Sequence, residues 1–209
     1  MVVDDRFKTF KKKIEFEIFL TIIIHLNYVI YLHKNKTMII HRRTHYASPL
    51  QLFKKLLGIR FCREREIECA VRFSTNCKYN IGIDQSDINK LFGYSFGLHH
   101  KNSLRVGWRY VTKKDMIEIV TYIYVNGERI QEKHIAWCNF GRYYYITLGN
   151  TLNCAYFKVS TCFRDCSLIT TNFSIARRML SYPLSLYFGG NCVAPHDMNI
   201  DYKVYYNGN

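Results

Sequence analysis

The sequence predicts a mainly β protein: an antiparallel two-sheet jelly-roll sandwich with one short N-terminal helix. Three observations carry that expectation. Alternating apolar and polar segments recur at roughly 8 to 15 residue spacing, separated by short turns. The 209 residues include 17 Tyr and 14 Phe but only 3 Pro, a usage that favours strands. No run of alternating strand and helix patterns suggests a parallel sheet.

The N-terminal stretch is of a different texture. Residues 14–32, IEFEIFLTIIIHLNYVIYL, hold an apolar core from Ile18 to Leu32, with Lys11, Lys12 and Lys13 before it and Lys34 and Lys36 after it. A spanning helix needs about 20 apolar residues, and this shorter one carries His25 and Asn27. The following YLHKNKT offers no small-residue cleavage site. Residues 1–37 are therefore read as an extension upstream of the true start, with an uncleaved membrane anchor as the alternative. Residues 38–209 are read as a single β-sandwich domain. A membrane partner is expected only if 14–32 is a true anchor.

The helix is expected at 48–57. Ser48 suits an N-cap, Pro49 the first helical position and Gln51 a capping box, while Gly58 provides a stop. Leu50, Phe53, Leu56 and Leu57 form its apolar stripe.

Strands are expected at 66–73, 88–98, 103–110, 116–125, 129–137, 143–149, 154–160, 184–189 and 198–206. Glycines in 88–98 suggest a bend or bulge. Asn126-Gly127 is a hairpin signal. The clearest alternation is SLRVGWRY: Leu104, Val106, Trp108 and Tyr110 on one face, Arg105, Gly107 and Arg109 on the other. Trp108, Val106, Ile119, Ile123, Phe157 and Leu186 are the expected core.

The formal charge is +14, and residues 38–209 alone retain 23 basic against 12 acidic residues, or +11. Such a surface suits anionic glycans, nucleotides, nucleic acid or membrane surfaces, and equally a merely solvated basic face. None of the eight cysteines forms a C-x-x-C pair. Several fall at apparent strand positions, where cysteine acts as a small hydrophobe, so free thiols and a reducing setting are expected, cytoplasmic or virion-associated rather than secreted.

The candidate ligand-binding residues are His100, Lys101, Arg105, Arg109, Tyr122 and Tyr124. Two arginines on one strand face suit carboxylate, sulfate or phosphate, and the glycine between them is expected to leave a gap for a flat ligand. Tyr122 and Tyr124 on the next strand suit sugars or bases. The competing reading makes the same polar residues a wet sheet face, with Glu118 pairing across to an arginine. No metal or cofactor is expected, because His41, His45, His134 and His196 are scattered, and no P-loop, G-x-G-x-x-G or G-x-S-x-G occurs. Jelly-roll glycosidases need two or three carboxylates in one strand. The strands are expected to offer single acids with no E-x-D-x-E arrangement, which argues against such a hydrolase.

LSLYFGGNCVAPHDMNI (184–200) followed by DYKVYY resembles the ending of concanavalin A-like sandwiches, laminin-G-type domains included, with Gly189, Gly190, Ala194 and Pro195 matching a Gly-Gly turn and Ala-Pro loop. RRTHYASPLQLFKKLLGIRFCREREIE, DINKLFGYSFG, HHKNSLRVGWR and YFGGN resemble small proteins without assigned function from Bacteroides-type gut bacteria and their phages. Members of that group begin near the position of Met38. The resemblance implies the fold and a phage or mobile-element setting, and implies no activity. Laminin-G and lectin relatives often bind calcium through loop Asp and Asn, but only Asp84 and Asp87 lie near, and no calcium site is carried over.

The resulting expectation is a non-catalytic module for an anionic glycan or similar anionic ligand on a basic, aromatic sheet face. One alternative is a polysaccharide lyase on that face, with Arg105 neutralising a uronate and His100 and Tyr122 moving protons. Others are a nucleic-acid or nucleotide binder, or a phage assembly component.

Overall fold

The computed structural model describes residues 36–46, 59–162 and 165–206. The expected helix at 48–57 and the apolar stretch at 14–32 lie outside the described residues. Thirteen strands follow in order: β1 Lys36–Ile40, β2 Arg60–Cys62, β3 Arg65–Phe73, β4 Asn89–Phe96, β5 Ser103–Val111, β6 Met116–Val125, β7 Glu128–Ile130, β8 His134–Cys138, β9 Tyr144–Asn150, β10 Cys154–Ser160, β11 Asp165–Asn172, β12 Met179–Leu184 and β13 Met198–Tyr206. Short 3-10 turns at Thr75–Cys77 and Gly82–Ser86 are the helical elements among the described residues. No helix there is long and apolar enough to cross a membrane.

The strands form two antiparallel curled sheets packed as a sandwich, consistent with a jelly roll. One sheet runs β1-β13-β3-β9-β10-β11. The other runs β2-β12-β4-β5-β6-β7, with β8 also pairing β6. The period-2 pattern sets which side chains meet between the sheets. From one side come Ile67, Cys69, Val71, Phe73, Ile146, Leu148, Phe157 and Val159, and from the other Leu104, Val106, Trp108, Ile117 and Ile119, all essentially inaccessible. Phe73 and Trp108 join the layers at 5.2 Å between ring centroids. Burying each such side chain contributes about 1.5–3 kcal/mol. All six expected core residues are buried.

The best alternating strand is right side out: Trp108 faces the core, and Arg105 and Arg109 face away. The expected bulge falls between Lys90 and Phe92. Asn126 and Gly127 take positive φ angles of 52° and 94°, as the β6–β7 hairpin requires.

Other elements differ from expectation. The segment 129–137 is two strands, because β6 has a register irregularity at Ile119/Val120 where β8 pairs. The strand expected at 184–189 lies earlier, at Met179–Leu184. Pro183 hid it, since proline demotes a strand pattern. It is tolerated because β2 pairs only with Met179–Ser181, leaving Pro183 on an edge. β11, Asp165–Asn172, is a strand beyond those expected. β1 takes in Lys36 and Thr37, and Thr37 Oγ1 donates to Asp201 at 2.7 Å.

Candidate functional site

The outer face of the β2-to-β7 sheet carries the candidate site. Register places Arg105 between Gly93 on β4 and Tyr122 on β6, and places Arg109 opposite Glu118. The two arginines have different surroundings.

Arg109 is committed within the protein. Its Nε donates to Glu118 Oε2 at 2.7 Å and its Nη1 to the Ser86 carbonyl at 3.2 Å. Glu118 is buried, and its other oxygen meets His134 Nδ1 at 2.9 Å. The cross-strand ion pair considered from sequence is therefore present.

Arg105 has no carboxylate partner of this kind. Its Nη2 donates to the Ser185 carbonyl at 2.9 Å, while its Nε is sealed from solvent without a hydrogen-bond partner. Desolvation pulls its pKa down to about 10, and tyrosines such as Tyr122 and Tyr187 partly oppose the shift. The side chain lies low because Gly93 stands opposite. A Cβ at Gly93 would sit 2.8 Å from Arg105 Cγ and 2.2 Å from the Leu104 carbonyl. The gap expected over Gly107 does not exist. A Cβ there would meet Ile88 at 2.4 Å and Val120 at 3.0 Å, so side chains already fill that space. The glycine whose missing side chain matters on this face is Gly93, one strand away, and the Arg105 side chain takes up the space it leaves.

Above Arg105 is a groove of about 520 Å³. His100, Tyr122 and Tyr124 line it together with Arg105, while Lys101 stands exposed on the neighbouring turn, outside the lining. His100 meets Tyr124 edge-on at 5.7 Å, and Tyr124 meets Tyr122 at 5.8 Å. Burial and the neighbouring Tyr124 push the Tyr122 hydroxyl up to about 12. A second depression of about 350 Å³ continues over Arg109, Arg129 and Glu132, sharing Lys90 and Tyr122 with the first.

Lys90 was missed from sequence. It sits at the bulge of β4, which interrupts the alternation that would have marked it as outward. Backbone bonds of 2.8 Å in both directions tie it to Tyr187. Its Nζ donates to the Gly189 carbonyl at 2.8 Å and lies 4.9 Å over the Tyr122 ring and 5.5 Å over the Tyr187 ring. Desolvation, then repulsion from Arg105 and Arg129, lowers its pKa to about 8. Gly189 adopts a φ of +69°, and a Cβ there would strike the Cys192 carbonyl at 2.0 Å. The Gly-Gly turn singled out in the sequence thus supplies the carbonyl that holds Lys90.

Tyr46, Tyr182 and Tyr187 complete the aromatic wall. Tyr187 stacks on His45 at 4.8 Å and meets Tyr46 edge-on at 5.1 Å. Among the described residues no carboxylate lines the first groove.

The reading of single acids along the strands needs correction. Glu66 and Glu68 stand two apart on one face of β3, and Glu64 precedes them. That face is the outer side of the other sheet, where the Tyr156 hydroxyl donates to Glu66. Burial and Glu66 raise the Glu68 carboxyl. Among the described residues, no three His, Cys, Asp or Glu side chains gather as a metal cluster. Cysteines 62, 69, 77, 138, 154, 162 and 192 are free thiols, of which 69, 77 and 138 are buried.

No family model matches the chain, and no curated protein sequence does. Solved structures of similar fold include alginate lyases. The chain is similar to the alginate lyase from Klebsiella pneumoniae, with a TM-score of 0.52 and 11% identity over 69% of this chain and 60% of that one. It thus spans less than two thirds of that enzyme's length. The alginate lyase vAL-1 from Chlorella virus gives a TM-score of 0.48 at 11% identity, covering 81% and 82% of the two chains. At these identities the likeness is one of fold, consistent with a concanavalin A-like β-sandwich.

Proposed function

We propose that this protein is a binding module for an anionic glycan, held in the groove over Arg105. The observation that carries the reading is electrostatic. Arg105 and Lys90 are two desolvated cations in one groove, and no carboxylate lines that groove among the described residues, while Arg129 nearby is paired with Glu132. Like charges repel most where water is excluded. An anionic ligand relieves that repulsion and supplies acceptors for the guanidinium, as planar carboxylates and sulfates do. The tyrosine wall favours a sugar, whose apolar faces pack on aromatic rings while its hydroxyls reach phenolic oxygens.

Titration with oligouronates and with neutral oligosaccharides of matched length tests this. Binding of the uronates alone, weakening with salt and lost in Arg105→Gln, is the expected result. Equal affinity for neutral sugars, or stronger binding of nucleic acid than of any glycan, overturns it.

A second reading is favoured by the ring contact of His100 with Tyr124 on the wall of the Arg105 groove. In a polysaccharide lyase, an arginine neutralises the uronate carboxylate while histidine and tyrosine move protons. Release of unsaturated products, followed by their absorbance, would establish that reading in place of simple binding.

A further inference from the structure

We propose that Lys90 is a nucleophilic amine that captures the carbonyl of an anionic aldehyde as an imine, with Arg105 holding that ligand's carboxylate. The inference rests on the reading of the groove as an anion site and adds covalent chemistry to it.

The geometry makes Lys90 unlike a surface lysine. It is 8% exposed, and its opening is the groove itself. It stands where the two depressions meet, and it lines both. Backbone bonds to Tyr187 fix its Cα, the Gly189 carbonyl orients its Nζ, and two tyrosine rings flank the side chain. Lysines become nucleophiles when desolvated or placed beside other cations, and Lys90 meets both conditions. Burial, Arg105 and Arg129 disfavour its ammonium form, opposed by Asp87, so a sizeable neutral fraction exists near pH 8. The other groups facing it, Tyr122 and Tyr187, have hydroxyls held neutral there, chiefly by burial.

The step balances without a redox partner. The Nζ lone pair attacks the carbonyl carbon, forming a C–N bond. The carbonyl oxygen takes up protons, two of them leaving the nitrogen in the course of the step, and departs as water, giving C=N. Hydrolysis reverses it. The shared ligand chemistry is an aldehyde bearing a carboxylate, met either in a small oxo-acid or in the open-chain form of an acidic sugar.

The experiment uses the full chain with sodium cyanoborohydride as reductant, which turns an imine into a stable secondary amine. Glyoxylate is one probe, and glucuronate monomer the other. Peptide mass spectrometry locates the adducts. The expected result is labelling of Lys90 at least tenfold faster than of other lysines, rising from pH 7 to 9, slowed in Arg105→Gln and absent in Lys90→Arg. Fast labelling by glucuronate identifies the acidic sugar as the ligand class, and labelling by glyoxylate alone identifies the small oxo-acid. Lys90 labelling no faster than that of exposed lysines overturns the inference. A parallel titration with reducing-end-blocked oligouronates separates the two claims. If they bind while Lys90 labels slowly, only the imine fails. If they do not bind, the anion groove itself fails.

Discussion

Gly93 lies directly across the β4–β5 ladder from Arg105, and the arginine side chain lies in the space that a Cβ there would need. That pairing converts an outward-facing strand residue into a desolvated cation. Gly93→Ala should therefore both destabilise the fold and push Arg105 from its place. The Cβ would meet a backbone carbonyl, which cannot swing aside, so a loss of about 1–3 kcal/mol is expected. Chemical denaturation measures it, and any anion binding should weaken in parallel.

The two arginines of β5 should separate cleanly. Arg109→Gln leaves Glu118 buried with the His134 imidazole as its remaining side-chain partner. Breaking a buried pair costs about 3–5 kcal/mol, and the partial exposure of Arg109 brings the expectation to about 2–4 kcal/mol. Arg105→Gln should change stability little, since it removes a desolvated charge with one carbonyl partner. It should weaken anion binding more than tenfold, because a charge-assisted hydrogen bond is worth about 1.5–3 kcal/mol. Thermal melts and titrations of both variants check the contrast.

Lys90→Met should stabilise the unliganded protein. A lysine with a folded pKa near 8 binds fewer protons than its unfolded counterpart between about pH 8 and 10.4. Stability in the parent protein therefore rises with pH through that window, and the burden is fully present below it. Removing the charge should raise stability at pH 7 by about 1–3 kcal/mol and flatten that rise. Denaturation at pH 7 and pH 10 measures both effects.

Trp108→Ala should cost about 3–5 kcal/mol through the cavity it leaves. Trp108 is fully buried and contacts the rings of Phe73, Tyr79 and Phe188. Its effect on binding should follow the unfolded fraction alone, which titration well below the melting temperature isolates.

Acid should act on the opposite sheet. Burial works to raise the Asp201 pKa, but Thr37, Arg72 and Tyr143 all donate to its carboxylate, and the net shift is downward. A depressed folded pKa contributes stability above the unfolded value of about 3.9 and loses it as pH falls through the folded one. Asp201→Asn should lower stability at pH 7 and blunt the acid-induced loss below about pH 4. Urea midpoints across pH 2 to 7 read this directly.

Local pattern alone determined the β class, the inward face of β5, the six core positions and the Asn126-Gly127 hairpin. Each depends on period-2 alternation or on backbone preferences within a few residues. The co-assembly of His100, Arg105, Tyr122 and Tyr124 was also legible, because adjacent strands joined by short turns place neighbouring outward residues together. Tertiary structure decided the rest. β12 was obscured by Pro183, whose tolerance depends on how short the distant β2 is. Lys90 became a groove residue through a bulge and through Gly189, 99 residues away along the chain. The division of labour between Arg105 and Arg109 turned on what stands opposite each: glycine for one, a buried glutamate for the other. Alternation tells which way a side chain points. The partner strand and its register decide whether its charge meets a carboxylate, as at Arg109, or only a carbonyl, as at Arg105.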